Sequence, residues 1–249
     1  MRKIFVIGIG AGDPEHVTVQ AINRLNEVDV FFVLTKGSEK QDLVRLRQEI
    51  LERYVKEPAY RVVEARDPDR DRTPANYETA VTDWHRLRTD VYERMIRDEL
   101  ADGQRGAFLV WGDPALYDST ITLVDAVLAR KNVEFGYDVI PGVSSLSVLA
   151  AQHRTAFNRI GKPVQITTGR RLAEGFPADA DDVLVMLDAN NTFTKFPDMD
   201  VFWGAYLGTP DEILVSGKVS DVADEIVTRR AEARERKGWI MDTYLLRRT

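Results

Sequence analysis

Phe108-Leu109-Val110-Trp111-Gly112-Asp113-Pro114-Ala115-Leu116-Tyr117 is an apolar run broken off by Gly-Asp-Pro. The run begins after Gly103 and Gly106, is short and uninterrupted, and so predicts a buried strand rather than a piece of helix. Gly112 can take backbone angles closed to other residues and lets a ligand come close. Pro114 fixes its own φ and pushes Asp113 away from helix. The chain must therefore turn at the carboxyl end of a strand, with a carboxylate and an aromatic ring on the turn. In open α/β sheets ligands sit there. On the tripeptide alone, an ordinary Asp-Pro turn capping the next helix is the favoured reading.

Upstream, Lys3 to Gly8 predicts a second buried strand, followed by Ile9-Gly10-Ala11-Gly12-Asp13-Pro14. A dinucleotide fingerprint starting at Gly8 needs glycine at position 13, where Asp13 would repel a pyrophosphate. Pro14 follows, and no helix begins where its amides could hold phosphate. Gly161-Lys162 and Gly217-Lys218 lack the other residues of a phosphate-binding P-loop. Thr18 then caps a helix with Val19, Ile22 and Leu25 on one face. Strand 30–34, a helix marked by Leu43, Leu46, Ile50 and Tyr54, and strand 60–65 complete a β-α-β-α-β series, which predicts a parallel sheet. A charged loop, 66–74, leads into a helix with Trp84, Leu87, Val91 and Met95 inward.

Downstream, a helix over 119–130 and strand 137–140 precede Pro141-Gly142-Val143-Ser144-Ser145, where the two hydroxyls open another helix. Short strands at 164–168, 183–187, 201–207, 213–216 and 239–246 make the second half richer in strand. The expected architecture is α/β, with a mostly parallel N-terminal domain (1–115), a mixed-sheet C-terminal domain (116–249) and a ligand cleft between them.

Composition removes several function classes. The 249 residues contain no cysteine, which excludes disulfides, thiol nucleophiles and cysteine-ligated zinc. The three histidines, His16, His85 and His153, have no metal-ligand spacing. A net charge of −6 argues against nucleic acid as the main partner. No apolar stretch is long enough to span a membrane, and the first residues are too short for a signal peptide. The absence of cysteine fits a cytoplasmic protein.

Three motifs in this order, Gly8-Ile9-Gly10-Ala11-Gly12-Asp13-Pro14, Trp111-Gly112-Asp113-Pro114 and Pro141-Gly142-Val143-Ser144-Ser145, resemble the tetrapyrrole methylases, the class III S-adenosylmethionine-dependent methyltransferases. The resemblance covers essentially the whole chain. It implies two α/β domains with the cofactor between them, and a homodimer. Within the family, the insert Asp67-Pro68-Asp69-Arg70-Asp71-Arg72, the stretch Asn76-Tyr77 to Trp84-His85 and the ending Trp239 to Leu246 are similar to the branch acting on precorrin-5. That implies methylation at C1 with loss of acetate, giving precorrin-6A and S-adenosylhomocysteine. It also implies cofactor contacts from Trp111, Gly112 and Asp113 by backbone, from Leu116 and Tyr117 beside the adenosyl group, and from Ser144, Ser145, Leu187 and Tyr206. Leu187 stands where the family has a Tyr-Met-Gly-like segment.

The residues are consistent with that chemistry. Methyl transfer from a sulfonium needs positioning above all, and the electron-rich macrocycle is its own nucleophile, so neither a triad nor a metal is required. Asp13 lies on the loop expected to face the macrocycle and is the candidate for orienting it. The substrate's carboxylates need a basic rim, for which Arg66, Arg70, Arg72, Arg86, Arg154, Arg159, Lys162, Arg170 and Arg171 are candidates. No spacing singles out a base for deacetylation among His85, Tyr77 and Asp113. Two other readings stay open: methylation of a different precorrin, and a non-catalytic nucleotide-binding regulatory protein.

Overall fold

Two buried strands anchor the N-terminal half: β1 (Arg2–Gly8) and β4 (Arg105–Val110) lie side by side and parallel, with Gly8 opposite Val110. The computed structural model describes residues 1–35, 41–57, 59–69 and 77–249, with 41–43 and 77–81 by backbone alone. Expectations for Leu43, Arg70, Arg72 and Asn76, and for the side chain of Tyr77, lie outside the described residues.

Strands β2 (Val30–Thr35), β3 (Arg61–Arg66) and β5 (Phe135–Ile140) complete a five-stranded sheet in the order β3-β2-β4-β1-β5. All its pairs are parallel. Ile4, Phe5, Val6 and Ile7 are all buried, as a strand covered on both faces requires. One face packs Phe5, Ile7, Ala107 and Leu109 against α1 (Val19–Leu25) and α2 (Gln41–Tyr54). The other packs Ile4, Val6, Phe108 and Val110 against α3 (Tyr77–Glu99) and α4 (Thr120–Arg130). Adjacent β1 and β4 therefore send their helices to opposite faces. Their carboxyl ends form the switch point of the sheet, where a crevice for ligands arises.

The chain divides into two compact units, Met1–Val143 and Ser144–Thr249. The expected break at 115/116 thus falls inside the first unit. The reason is β5, which returns to pair with β1 and takes α4 with it.

The second unit opens with α5 (Ser145–Gln152) and builds a mixed sheet from β6 (Val164–Thr168), β7 (Asp182–Met186), β8 (Asp200–Ala205), β9 (Ile213–Lys218) and β10 (Asp242–Arg247), in the order β6-β7-β10-β8-β9. Only β6–β7 is parallel. A four-residue helix, α6 (Gly169–Leu172), separates those two strands. A 19-residue helix, α7 (Val219–Lys237), covers the face carrying Val183, Val201, Trp203 and Tyr244. The strand pattern does not predict α7, because Arg230 takes a buried place on its inward stripe beside Val219, Ile226 and Ala233.

Candidate functional site

The turns after β1 and β4 are bonded to each other. The Ile9 amide donates to the Val110 carbonyl at 2.9 Å, Gly10 to Gly112 at 3.3 Å, and Gly112 back to Gly10 at 2.8 Å. The turn after β5 closes on both. A Cβ on Gly142 would stand 2.1 Å from the Gly112 carbonyl oxygen and 2.9 Å from Gly8 backbone atoms. Gly8 and Gly142 therefore serve backbone-on-backbone packing, which no side chain permits. Gly112 also has φ +71°, a left-handed turn conformation.

Asp113 ties the arrangement together with its carboxylate. One oxygen accepts the Ala115 amide at 2.8 Å, and the other accepts the Gly142 amide at 2.9 Å. Its carbonyl accepts Leu116 N–H at 3.1 Å. The carboxylate thus holds two motifs in register, while the backbone of the turn stays at the crevice. Asp13 has a comparable local duty: it caps a short 3-10 turn, accepting the Glu15 amide at 2.8 Å. On the same loop, a Cβ on Gly10 would meet His16 Cβ, and His16 Nδ1 is buried without a partner among the described residues.

Tyr117 ends the central turn with φ +51° and its ring 46 % exposed. Partial burial pushes its phenol above the ordinary 10.0. A bulky residue held in the left-handed region costs about 1–2 kcal/mol, and such strain gathers at ligand sites. Leu187, directly after β7, repeats the pattern with φ +55° and 66 % exposure. It precedes Asp188, a buried carboxylate accepting the Thr192 amide at 2.6 Å and the Tyr244 hydroxyl at 2.6 Å. The Arg230 guanidinium donates to the Asp188 carbonyl at 2.7 Å. Tyr206, directly after β8, also has a positive φ, +50°, but its ring is fully buried and its hydroxyl donates to the Trp239 carbonyl at 2.6 Å. Its side chain therefore belongs to the core of the second unit, and only its backbone remains for a ligand. Ser144 caps α5, accepting the Ser147 amide at 3.2 Å, and Ser145 is the helix's first residue.

Trp111, Gly112, Asp113, Leu116 and Tyr117 share one turn in the first unit, which the Gly10–Gly112 bridge ties to the Gly8–Asp13 loop. Ser144, Ser145, Leu187 and Tyr206 belong to the second. Several rim candidates already hold acids: Arg66 with Asp69 and Lys162 with Asp181, while Arg159 lies near both Asp181 and Asp182. Among the described residues no cluster of His, Asp or Glu could hold a metal, and no helix is long and apolar enough to cross a membrane.

Two arginines outside the sequence expectation line a cavity of about 290 Å³ beside Trp111, at the carboxyl ends of β2 and β4. Arg88 is buried. It donates to Asp67 at 2.8 Å and to the Ser119 hydroxyl at 2.5 Å, and lies over the Trp84 ring. The inward stripe of α3 runs through Arg88, whereas Leu87, expected inward, is 43 % exposed. Arg47 projects from α2 next to inward-facing Leu46, and desolvation lowers its pKa. Tyr92, stacked on Phe108 at 4.4 Å, has its phenol pushed up to about 12 by burial.

A doubly wound sheet with glycine-packed turns at its switch point, followed by a mixed α/β unit, defines a small-molecule enzyme class rather than a structural protein. Residues 3–223 match the family of Tetrapyrrole (Corrin/Porphyrin) Methylases, and the chain belongs to that family. A precorrin-6A synthase (deacetylating) from Sinorhizobium is 52 % identical over 250 residues, covering 100 % of this chain and 96 % of the relative. A solved structure described as related to cobalamin synthesis (CobF), from Corynebacterium diphtheriae, is 36 % identical with a TM-score of 0.86, covering 99 % and 98 % of the two chains. The fold is shared with a uroporphyrin-III C-methyltransferase from Thermus thermophilus, solved in complex with S-adenosylhomocysteine, at 19 % identity and TM-score 0.59 over 98 % and 91 % of the chains.

Proposed function

We propose that this protein is an S-adenosylmethionine-dependent C-methyltransferase of corrin biosynthesis, which methylates precorrin-5 at C1 with loss of acetate to give precorrin-6A. The 52 % identity to the Sinorhizobium enzyme across the whole chain carries this reading. The exposed, left-handed Tyr117 and Leu187 support it, since they leave a ring and a branched side chain available to a nucleoside thioether.

The cofactor supplies an activated methyl group on a sulfonium. The chain's own part is to bind and orient. Backbone groups of Trp111, Gly112 and Asp113 fix the cofactor, Leu116 and Tyr117 flank its adenosyl group, and Ser144, Ser145, Leu187 and the backbone of Tyr206 complete the contacts. Asp113 works through the backbone it pins. Asp13 orients the substrate from the neighbouring loop. The protein acts as a homodimer in the cytoplasm, a reading supported by the family resemblance and the absence of cysteine.

Anaerobic incubation with precorrin-5 and methyl-labelled S-adenosylmethionine tests the proposal. One labelled methyl should enter the tetrapyrrole for each acetate released. Methyl transfer to another precorrin without acetate would assign the protein to a different step. Absence of S-adenosylhomocysteine binding in folded protein would remove the methyltransferase reading.

A further inference from the structure

The cavity beside Trp111 is lined by two guanidinium groups, Arg47 and Arg88, and two carboxylates, Asp67 and Asp118. Arg88 and Asp67 hold each other at 2.8 Å, and Asp118 accepts the Thr120 amide at 2.6 Å. Arg47, which is half-buried, makes no ion pair or hydrogen bond with another described residue, and the Asp118 carboxylate acts on it only through space. The Trp111 indole N–H is buried without a partner among the described residues. The unmet groups of these two residues are donors: a guanidinium fork and an indole N–H. A partly desolvated guanidinium with no bonded partner is costly, and its planar fork matches a carboxylate with two parallel bonds. At about 290 Å³ the space exceeds what a free acetate fills and suits a carboxylated side arm of a larger molecule.

We propose that this cavity is a carboxylate pocket in which Arg47 and the Trp111 indole bind one side arm of the tetrapyrrole substrate. The inference rests on the proposed precorrin methyltransferase activity. Arg88, fixed by Asp67 and Ser119, shapes the wall, and the ligand leaves its pair with Asp67 intact. Trp111 also opens the Trp-Gly-Asp-Pro turn, so a side arm anchored here sets the position of the macrocycle relative to that turn.

The test is anaerobic steady-state kinetics on the intact protein with Arg47→Gln, Arg47→Lys and Trp111→Phe. Loss of a charged hydrogen-bonding partner predicts that Arg47→Gln raises KM for precorrin-5 by about 10- to 100-fold. Arg47→Lys should fall between it and the wild type. Trp111→Phe, which keeps the ring but loses the donor, should raise KM by about 3- to 10-fold. S-adenosylhomocysteine affinity of both Arg47 variants should stay within about twofold of wild type. Unchanged KM in Arg47→Gln overturns the proposal. Loss of S-adenosylhomocysteine affinity in its place also overturns it, because the pocket would then hold the cofactor's carboxylate.

A second arm does not depend on turnover. Uroporphyrin III should bind the wild type as the free acid and not as its octamethyl ester, and Arg47→Gln should bind the acid about 10-fold more weakly. Equal binding of acid and ester, or of acid to wild type and variant, refutes the pocket. Failure of the wild type to methylate precorrin-5 counts against the underlying activity, and the binding comparison still decides the pocket.

Discussion

Gly142→Ala is the sharpest perturbation of the site. The new Cβ would stand 2.1 Å from the Gly112 carbonyl oxygen, where ordinary contact begins at 3.4 Å. It would also press on Gly8 backbone atoms at 2.9 Å. Backbone cannot rotate away as a side chain can, so the turns must part by about 1 Å, and overpacking of that kind costs roughly 1–3 kcal/mol. The same movement strains the Gly142 amide's bond to Asp113 at 2.9 Å, so the upper end of that range is expected. In a chain of this size about 3 kcal/mol lowers Tm by roughly 6–12 °C. A misplacement near 1 Å can cost about 100-fold in rate, so kcat/KM should fall far more than the fraction folded. The internal control is Gly136→Ala on β5, where the nearest heavy atom to the new Cβ is Met1 Cε at 3.4 Å, and where Tm and activity should hold. Differential scanning calorimetry, S-adenosylhomocysteine titration and turnover of the two variants measure all three quantities. A Gly142→Ala protein with the Tm and activity of Gly136→Ala would refute the claim that the turns close through bare backbone.

Three further outcomes are expected. Tyr117→Gly relieves left-handed strain of about 1–2 kcal/mol against a backbone-entropy cost of about 0.5–1 kcal/mol; Tm should hold or rise while calorimetry shows S-adenosylhomocysteine affinity falling at least about 5-fold. Tyr244→Phe removes the 2.6 Å bond to buried Asp188 and should cost about 1.5–3 kcal/mol in urea unfolding; burial and Asp188 raise the Tyr244 phenol, so it stays a neutral donor and the loss should be the same from neutral to mildly alkaline pH. Arg130, then Asn132, lower the Glu93 carboxyl below its ordinary 4.5. A depressed folded value stabilises the protein above the unfolded pKa, and that gain is lost as pH falls below it. Urea midpoints measured from about pH 7 to about pH 3 should therefore fall less steeply for Glu93→Gln than for wild type.

Much of this was legible in the chain because apolar runs bounded by glycine and proline report strands directly. β1, β2 and β4 are buried on both faces, so their pattern is continuous and hard to mistake. The placing of β5 was not legible. Nothing local in 135–140 says that the strand returns to pair with β1, and the expected boundary fell short of Val143 for that reason. For Tyr206, sequence position puts the residue at a strand end, but only packing shows the ring turning inward to Trp239.

The remaining omissions share one cause. Arg88 and Arg230 stand on the inward stripes of α3 and α7, where apolar periodicity assigns no charged residue. Each is paired with an aspartate distant in sequence or on another element, Asp67 and Asp242. Each also fixes a residue just past a left-handed position: Arg88 holds Ser119 after Tyr117, and Arg230 holds the Asp188 carbonyl after Leu187. Breaking a buried pair from one side costs about 3–5 kcal/mol, which exceeds the about 1–2 kcal/mol of strain in a left-handed residue. The buried arginines are thus strong enough to keep Tyr117 and Leu187 in conformations their side chains disfavour. An arginine at an inward helical register, one turn from aromatic or branched neighbours, is the sequence signal for such a clamp, and Arg47 at the border of the α2 stripe differs from the other two in that its nearby aspartate, Asp118, is not bonded to it.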